Sequence, residues 1–258
     1  MSIPNNSTAD ELELSVVIPI YHEEKNIEHT LHRLKRHIPV SFEVIAVYDY
    51  DEDPTVPILK RLCHDHKNLR MIKNEIARGA SGALRTGFFH VRAKRILVVM
   101  ADLCDDLSQI PYFLSLVPAK ADIICPSRYC KGGQQNLKES PKKWIPRIAS
   151  FCVKCLSGLT TYDATNSFKL YSSEVLKDME LVSTKSFSVT LEIVAKAHCL
   201  GYRIVEIPTT WEDRQFGKSH FNLMQSIVVY LPWFGLAVLG NPCFGIPKQW
   251  FRRLFAKN

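Results

Sequence analysis

The stretch Leu14–Ile20, with the sequence LSVVIPI, is a short apolar run that is rich in β-branched residues. Such a run is typical of a strand buried on both faces, as in a parallel sheet. The next segment, Glu23–Lys35, carries Ile27, Leu31 and Leu34 at the spacing of one helix face. The chain is therefore predicted to begin its folded part with a strand followed by a helix.

The same alternation continues along the first half of the chain. Further strands are predicted at Phe42–Tyr48, Leu69–Lys73, Arg95–Ala101 and Asp122–Pro126. Helices are predicted between them at Pro57–His64 and Gly82–Val91. The second half is less regular, with helices expected at Trp144–Leu156 and Val189–Ala197 and strands at Phe168–Tyr171 and Tyr202–Ile207. This order predicts an α/β fold with a mostly parallel central sheet and helices on both faces.

Composition limits the class of protein. The 258 residues are 46% hydrophobic and 23% charged, which excludes a mainly disordered chain. The net charge of +7 favours anionic partners, but no long basic run or nucleic-acid-binding motif is present, so nucleic acid is not expected as a partner. The polar start lacks the features of a signal peptide, and the eight cysteines do not resemble a disulfide framework. A cytosolic location is therefore the default expectation.

Polar residues follow each of the first five predicted strands. The clusters are Tyr21–Glu24, Asp49–Asp53, Arg78–Gly82, Asp102–Asp106 and Ser127–Tyr129. In open α/β sheets, ligands bind outside the carboxyl ends of the strands. The five clusters are therefore expected to share one site.

Asp102, Asp105 and Asp106 are candidate metal ligands. Clustered carboxylates suit Mg²⁺ or Mn²⁺, which prefer oxygen ligands and often bridge to substrate phosphates. The alternative is a solvated acidic turn that caps the next helix, since Asp is a good N-cap residue. A second acidic strand end, at Asp49–Asp53, makes a site for a nucleotide and a metal more probable than either cluster does alone.

Two further features favour phosphate binding. The small-residue turn at Arg78–Gly87 could bring the backbone close to a phosphate, although tight helix–sheet packing explains it equally well. Candidate cations for phosphate recognition are Arg128, Lys131, Arg147, Arg214 and Lys218, each of which could instead be an ordinary surface charge. No Ser–His–Asp set or zinc motif is evident.

Seven short motifs in this order resemble those of family 2 glycosyltransferases, in particular the dolichol-phosphate mannosyltransferase-like branch that also serves polyprenyl-phosphate sugar transfer. The matching segments are Val16–Ile27, Val47–Thr55, Arg78–Ala83, Pro126–Tyr129 with Gly132–Gly133, Asp163–Tyr171, Glu206–Pro208 and Asp213–Ser219. The resemblance runs from about Leu14 to His220. Each motif is weak alone, and their common order is what carries the resemblance.

The resemblance implies a GT-A (Rossmann-like) fold, a nucleotide-sugar donor and a divalent cation, Mg²⁺ or Mn²⁺. Residues that match nucleotide-binding positions are Pro19, Tyr21, Glu23, Asp49, Arg78 and Gly79. Those that match catalytic positions are Asp102, Arg128 and Arg214, with Asp105 and Asp106 as further metal candidates beside Asp102. Those expected at the acceptor phosphate are Arg128, Arg147, Ser150, Arg214, Lys218 and Ser219.

The chain departs from the family pattern at the metal motif. The family's D-A-D-L-Q motif is replaced in this chain by Met100–Cys104, so the first aspartate and the glutamine of the motif are missing. Asp105 or Asp106 is the candidate replacement ligand. We interpret this form as a subfamily variant rather than as a loss of activity.

The segment from Phe221 to Pro247 contains no Asp, Glu, Lys or Arg. It is long enough to cross a bilayer, but Pro232 and several glycines interrupt it. Interfacial or re-entrant helices are therefore expected, with Trp233 and Trp250 at the headgroup level. The alternative is a buried helical pair or a homodimer interface.

These observations predict three regions: a flexible N-terminus at 1–13, a glycosyltransferase domain at 14–220, and membrane-associating or dimerising helices at 221–258. The predicted activity is inverting transfer of a hexose from a GDP- or UDP-sugar to a polyprenyl phosphate, by a peripheral or monotopic protein at the cytoplasmic face of a membrane. Two alternatives stay open. One is transfer to a soluble or protein acceptor, and the other is a catalytically weak nucleotide-sugar-binding scaffold.

Overall fold

The first strand, β1 (Leu14–Ile20), lies inside a seven-stranded sheet in this computed structural model, which describes residues 12–136, 144–214 and 223–255. The other strands are β2 (Phe42–Tyr48), β3 (Leu69–Lys73), β4 (Arg95–Val98), β5 (Ile123–Ser127), β6 (Gln134–Asn136), β7 (Lys169–Ser172), β8 (Ile204–Pro208) and β9 (Thr210–Glu212). The helices are α1 (Ile27–His37), α2 (Thr55–Asp65), α3 (Ala80–His90), α4 (Ile110–Leu116), α5 (Trp144–Ser157), α6 (Ser173–Lys177), α7 (Ser188–Leu200), α8 (Leu223–Leu239) and α9 (Lys248–Phe255).

The sheet has the strand order β3-β2-β1-β4-β7-β5-β8. Neighbouring strands are parallel except at β7, which runs antiparallel to both β4 and β5. Six strands therefore point the same way, and the predicted mostly parallel α/β sheet is confirmed. A separate small ladder pairs β6 with β9.

Both faces of the sheet are covered, which explains why the strands are apolar throughout. Val16 and Ile18 of β1 belong to a core cluster with α1, α2 and α4, whereas Val17 between them packs into the opposite cluster with α3 and α7. All seven residues of β1 are buried. This is the pattern expected for a central strand between two helical layers.

Some predicted boundaries were wrong. β4 ends at Val98 rather than Ala101, because the chain turns before it reaches Asp102. α1 begins at Ile27 rather than Glu23, because the segment before it forms a turn in which the Asn26 amide donates to the Glu23 carboxylate. The sequence reasoning also missed α4, α6, β6 and β9.

The C-terminal helices lie on the α7 side of the sheet. α8 packs against α7 and α5, and α9 packs against α7. Tyr230 and Ala237 of α8 and Phe251 and Phe255 of α9 are buried in these contacts. Among the helices within the described ranges, none is long and apolar enough to cross a membrane. The N-terminal residues 1–11 lie outside the described part of the chain.

Candidate active site

The carboxyl ends of β1 and β2 are tied together by hydrogen bonds. The His22 amide donates to the Asp53 carboxylate at 3.0 Å, and the Glu23 amide donates to the Thr55 hydroxyl at 2.9 Å. The His22 imidazole lies 2.7 Å from the Tyr50 hydroxyl. These bonds fix the loops after the two strands, so the side chains that follow β1 keep one position.

An exposed aromatic surface lies beside these loops. Pro19 is buried within β1, whereas Tyr21, two residues later, is 44% exposed. The Tyr21 ring meets the Tyr50 ring edge-on, with centroids 6.3 Å apart. The Arg78 guanidinium lies 5.7 Å from the centroid of the same Tyr50 ring. Two aromatic rings and a cation can hold a planar, anionic ligand such as a nucleotide.

Asp49 anchors the small-residue turn that precedes α3. Its carboxylate accepts hydrogen bonds from the Asn74 amide at 2.7 Å and from the Gly79 backbone at 2.8 Å. Gly79 has φ +106°, a backbone conformation that side-chain-bearing residues rarely adopt. A Cβ on Gly82 would lie 1.8 Å from the Ala77 carbonyl oxygen. The glycines are thus explained by turn geometry and close packing, and phosphate binding by this turn stays a prediction.

Arg214, two residues after β9, joins the loops that follow β1 and β4. Its guanidinium lies 3.2 Å from the Glu23 carboxylate and 3.4 Å from the Asp102 carboxylate. Burial raises the pKa of Glu23, while the Asn26 amide and the Arg214 charge oppose that rise. One cation therefore bridges a predicted nucleotide-binding residue and the predicted metal residue.

The turn that contains Asp102 has a strained backbone and two buried or half-buried carboxylates. Leu103 has φ +64°, and the Cys104 amide donates to the Asp102 carboxylate at 3.2 Å. Asp105 is 6% exposed, and one of its oxygens has no hydrogen-bond partner among the described residues. Burial, together with the neighbouring Asp102 carboxylate, raises the pKa of Asp105 to about 7.

The predicted three-carboxylate metal set is not assembled. Asp106 turns away to cap a short 3-10 helix, where its carboxylate accepts from the Ser108 amide at 3.1 Å and from the Ser108 hydroxyl at 2.6 Å. This is the capping role that the sequence left open as the alternative. No group of three or more His, Cys, Asp or Glu side chains in the described ranges is placed to hold a metal ion. Metal binding by Asp102 and Asp105 stays a prediction.

Arg128, just after β5, forms a buried ion pair with Asp163. Its Nε and Nη2 atoms donate to the two Asp163 oxygens at 2.7 and 2.8 Å, and its backbone amide donates at 3.0 Å. Burial alone would raise the pKa of Asp163, but the Arg128 guanidinium holds it below its usual range. In this structure the Arg128 charge is balanced by Asp163, and the direct phosphate-binding role expected of Arg128 stays a prediction.

The remaining acceptor candidates are divided between α5 and a segment that the structure does not describe. Arg147 is exposed and Ser150 is half-buried, and both lie on α5. Lys218 and Ser219 lie outside the described residues. The structure therefore brings together Glu23, Asp102 and Arg214, and it leaves Arg147 and Ser150 on a neighbouring helix.

Sequence reasoning missed two residues that shape the site. Asp163 appeared only as the first letter of a motif, with no hint that it pairs with Arg128. Arg33 on α1 donates to the backbone carbonyls of Leu103 and Asp105 and was not singled out at all. No local signal could have found Arg33, because it is one of several basic residues on α1 and its partners lie about 70 positions away in the chain.

The family model for Glycosyl transferase family 2 matches residues 15–180. The chain is 28% identical over 228 residues to an undecaprenyl-phosphate mannosyltransferase of Micrococcus luteus, covering 86% of this chain and 93% of that protein. It is 24% identical over 227 residues to a polyprenol monophosphomannose synthase of Mycolicibacterium smegmatis, covering 84% and 85%. It is also 26% identical over 249 residues to the glycosyltransferase AglD of Haloferax volcanii, covering 91% of this chain but 39% of that protein.

Solved structures show the same fold. One is glucosyl-3-phosphoglycerate synthase from Mycobacterium tuberculosis in complex with Mn²⁺, UDP and glucosyl-3-phosphoglycerate, with a TM-score of 0.62 and 12% identity, covering 92% of this chain and 81% of that one. Its complex with Mg²⁺ and UDP gives a TM-score of 0.63 and 14% identity, covering 92% and 80%. At this identity the likeness concerns the fold alone.

Proposed function

Because this chain belongs to glycosyl transferase family 2, we propose that it transfers a hexose from a GDP- or UDP-sugar to a polyprenyl phosphate. Two relatives that match most of the chain carry the names undecaprenyl-phosphate mannosyltransferase and polyprenol monophosphomannose synthase. The observation that carries the proposal is the meeting of Glu23, Asp102 and Arg214 at the carboxyl edge of the sheet. This is the edge where ligands of open α/β sheets bind.

The donor nucleoside is proposed to lie on the loops after β1, β2 and β3. Tyr21 and Tyr50 offer ring faces, and Arg78 adds a positive charge beside them. Glu23 and the half-buried Asp49 offer carboxylate oxygens to hydroxyl or amine groups. The hydrogen bonds between these loops hold them in place, so less ordering is needed when the donor binds.

The residues present fit a divalent cation that is shared with the donor. Mg²⁺ is commonly held by one or two carboxylates together with substrate phosphates, and Asp102 with Asp105 supplies that number. The partnerless oxygen of Asp105 is consistent with a ligand that is yet to bind. We therefore propose Mg²⁺ or Mn²⁺ on Asp102, with Asp105 beside it. When bound, the cation would offset the negative charge of the leaving nucleoside diphosphate.

The proposed reaction is one displacement with inversion at the anomeric carbon of the sugar. An oxygen of the acceptor phosphate forms a bond to that carbon, and the bond from the carbon to the nucleoside diphosphate breaks. A phosphate monoester has a second pKa of about 6 and is largely ionised at pH 7, so it needs no general base. Arg214 would draw the two anionic substrates together by moving from its carboxylate partners towards their phosphates.

The acceptor phosphate is proposed to lie at the start of α5, close to Arg147 and Ser150. Arg147 acts electrostatically on Tyr129, the residue after Arg128, so α5 begins near the buried ion pair. Within this arrangement Arg128 is a positioning residue that fixes the strand end beneath the acceptor. Lys218 and Ser219 remain acceptor-phosphate candidates from the sequence.

The lipid part of the acceptor is proposed to enter from a membrane that the protein touches at its surface. α5 and α8 pack against each other, and five of their apolar side chains are exposed. We name this set the apolar stripe: Ile148, Phe151, Leu156, Val228 and Leu231. The segments 140–162 and 214–258, which contain these helices, have no Asp or Glu and carry several Lys and Arg residues. An apolar surface with surrounding cations suits peripheral binding to anionic lipid, which we place at the cytoplasmic face.

The test is a donor panel with Mn²⁺ or Mg²⁺, radiolabelled sugar and polyprenyl phosphate, with partition of label into organic solvent as the readout. Asp102→Asn is the inactive variant, and Asp65→Asn at the exposed end of α2 is its control. Label is expected in the lipid phase from one donor, with wild type and Asp65→Asn alike and Asp102→Asn inactive. Donor hydrolysis without lipid labelling would instead favour a soluble or protein acceptor, and absence of both would favour a binding scaffold.

A further inference from the structure

The turn from Asp102 to Asp106 is held by two neighbouring elements. From one side, Arg33 of α1 donates to the Leu103 carbonyl at 3.0 Å and to the Asp105 carbonyl at 2.7 Å. From the other side, β9 contacts the turn through its backbone, because Trp211 pairs with Asp105 and the Glu212 amide donates to the Cys104 carbonyl at 3.1 Å.

Leu103 explains why this turn needs holding. Its φ of +64° is in the left-handed region, which a leucine adopts only when its surroundings impose it. Leu103 follows Asp102 directly, so a change in this backbone would turn the Asp102 carboxylate away from Arg214. The Arg33 bond to the Leu103 carbonyl restrains the strained residue itself.

An arginine suits this contact better than other cations do. The planar guanidinium presents donors in a fixed fork, and here two of its nitrogens reach carbonyls that are two residues apart in the turn. A lysine would supply the charge at one point without the fork. Arg33 is half-buried on α1, whose Leu31 and Leu34 are buried in the core, so the fork projects from a rigid element.

We propose that Arg33 is a positioning residue that holds the Asp102 turn in the geometry needed by the metal and the donor diphosphate. The inference deepens the proposed function and rests on it for the part that concerns activity. Arg33 does not touch the substrate in this account, and it acts through the backbone of Leu103 and Asp105. β9 contacts the same turn and ends two residues before Arg214.

The first experiment measures hydrogen exchange of the backbone amides at 103–106 in metal-free buffer, which requires no enzyme activity. The variants are Arg33→Met and Arg33→Lys, with Arg36→Met as control, because Arg36 is an exposed arginine on the same helix. Loss of hydrogen bonds to a charged donor should speed exchange at these amides about tenfold or more in both Arg33 variants. Arg36→Met should match wild type. Unchanged exchange in Arg33→Met would overturn the inference.

The second experiment measures steady-state transfer while Mn²⁺ and donor concentrations are varied. In Arg33→Met we expect kcat/KM to fall about tenfold to a hundredfold, with a higher Mn²⁺ concentration at half-maximal rate and an unchanged KM for the acceptor. Arg33→Lys should behave like Arg33→Met, and full activity in Arg33→Lys would overturn the positioning role because charge alone would then suffice.

A rescue variant separates positioning from general destabilisation. Asparagine tolerates the left-handed region, so Leu103→Asn added to Arg33→Met should recover part of the lost kcat/KM and slow the exchange again. Equal loss with and without Leu103→Asn would contradict the inference. If wild type transfers no sugar at all, the proposed function fails, while the exchange data alone still decide whether Arg33 holds the turn.

Discussion

Two arginines at the same edge of the sheet differ in how their charge is balanced. Arg128 meets one carboxylate, Asp163, through two short parallel hydrogen bonds, and that carboxylate is completely buried. Arg214 meets two carboxylates, Glu23 at 3.2 Å and Asp102 at 3.4 Å. Both guanidinium groups are largely buried, with 16% and 21% of the side chain exposed. Burial alone therefore does not distinguish them.

The two arginines are therefore suited to different roles. We term the Arg128–Asp163 pair the closed pair. Both Asp163 oxygens accept a hydrogen bond from the Arg128 guanidinium, so each charge already has its partner. The group of Arg214, Glu23 and Asp102, which we term the open group, lies beside Asp105, whose pKa is raised to about 7 by burial and by the Asp102 carboxylate. The longer contacts of Arg214 with Glu23 and Asp102 can be exchanged for contacts with phosphate.

The largest expected effect is on the closed pair. Asp163→Asn leaves the Arg128 charge buried and unbalanced, and loss of one partner of a buried ion pair costs about 3–5 kcal/mol of unfolding free energy. Denaturant unfolding measures this cost. The double variant Arg128→Met with Asp163→Leu removes both charges and should be destabilised less than the single variant. A single variant as stable as wild type would show that the pair is not closed.

The next largest effect is on the open group. Arg214→Met should lower kcat about 10²- to 10³-fold, the usual loss when a charge-stabilising donor is removed, while unfolding free energy should fall by less than in Asp163→Asn. Arg203→Met is the matched control, because Arg203 pairs with Asp122 at the opposite edge of the sheet. If Arg214→Met proved as destabilising as Asp163→Asn, the two arginines would have the same structural role.

A smaller effect tests whether the active edge faces lipid. Phe151→Glu or Leu231→Glu places a charge on the apolar stripe and should weaken binding to anionic vesicles about tenfold, since a buried aromatic or aliphatic side chain contributes about 1.5–3 kcal/mol. Vesicle co-sedimentation measures the binding. Phe89→Glu is the control, because Phe89 is 73% exposed on α3, away from the stripe. Equal loss in all three variants would indicate non-specific attraction.

The smallest effect is a pH dependence of opposite sign in the two groups. The pKa of Asp163 is lowered, so its contribution to stability is present above its unfolded value of 3.8 and is lost as the pH falls below that value. The pKa of Glu23 is raised by burial, so stability declines as the pH rises above its unfolded value of 4.5.

Unfolding free energy measured across pH in metal-free buffer should therefore show less acid loss in Asp163→Asn than in wild type. Glu23→Gln should show less decline than wild type just above pH 4.5. If the unfolding free energy had the same pH dependence in both variants, the closed pair and the open group would not differ in this way.

The sequence predicts much of the sheet because buried parallel strands are continuous apolar runs. β1, β2 and β3 have the predicted bounds, and the polar segments after them meet as expected. β6 and β9 are short and polar, so neither periodicity nor composition marked them. Arg214 lies two residues after β9, so this ladder leads the chain towards the site.

The site was predicted less completely, because its partners are distant in the chain. The closed pair joins residues 35 positions apart, and Arg214 reaches Asp102 across 112 positions. Residue types indicate that Arg128 and Arg214 could bind phosphate, but only the fold shows that Asp163 already balances one of them. The role of Asp106 likewise depends on the local backbone, since its carboxylate caps the short 3-10 helix that follows it.

In the proposed reaction the nucleophile is the phosphate of a lipid, brought to the donor by the open group. The most direct measurement compares polyprenyl phosphate with the same polyprenol lacking phosphate, using wild-type protein, Mn²⁺ and the preferred radiolabelled donor. We expect label in the organic phase with the phosphate and none with the alcohol, and loss of the phosphate-dependent label in Arg214→Met. Equal labelling of the alcohol would contradict a phosphate nucleophile, because an alcohol needs a general base and the proposed mechanism has none.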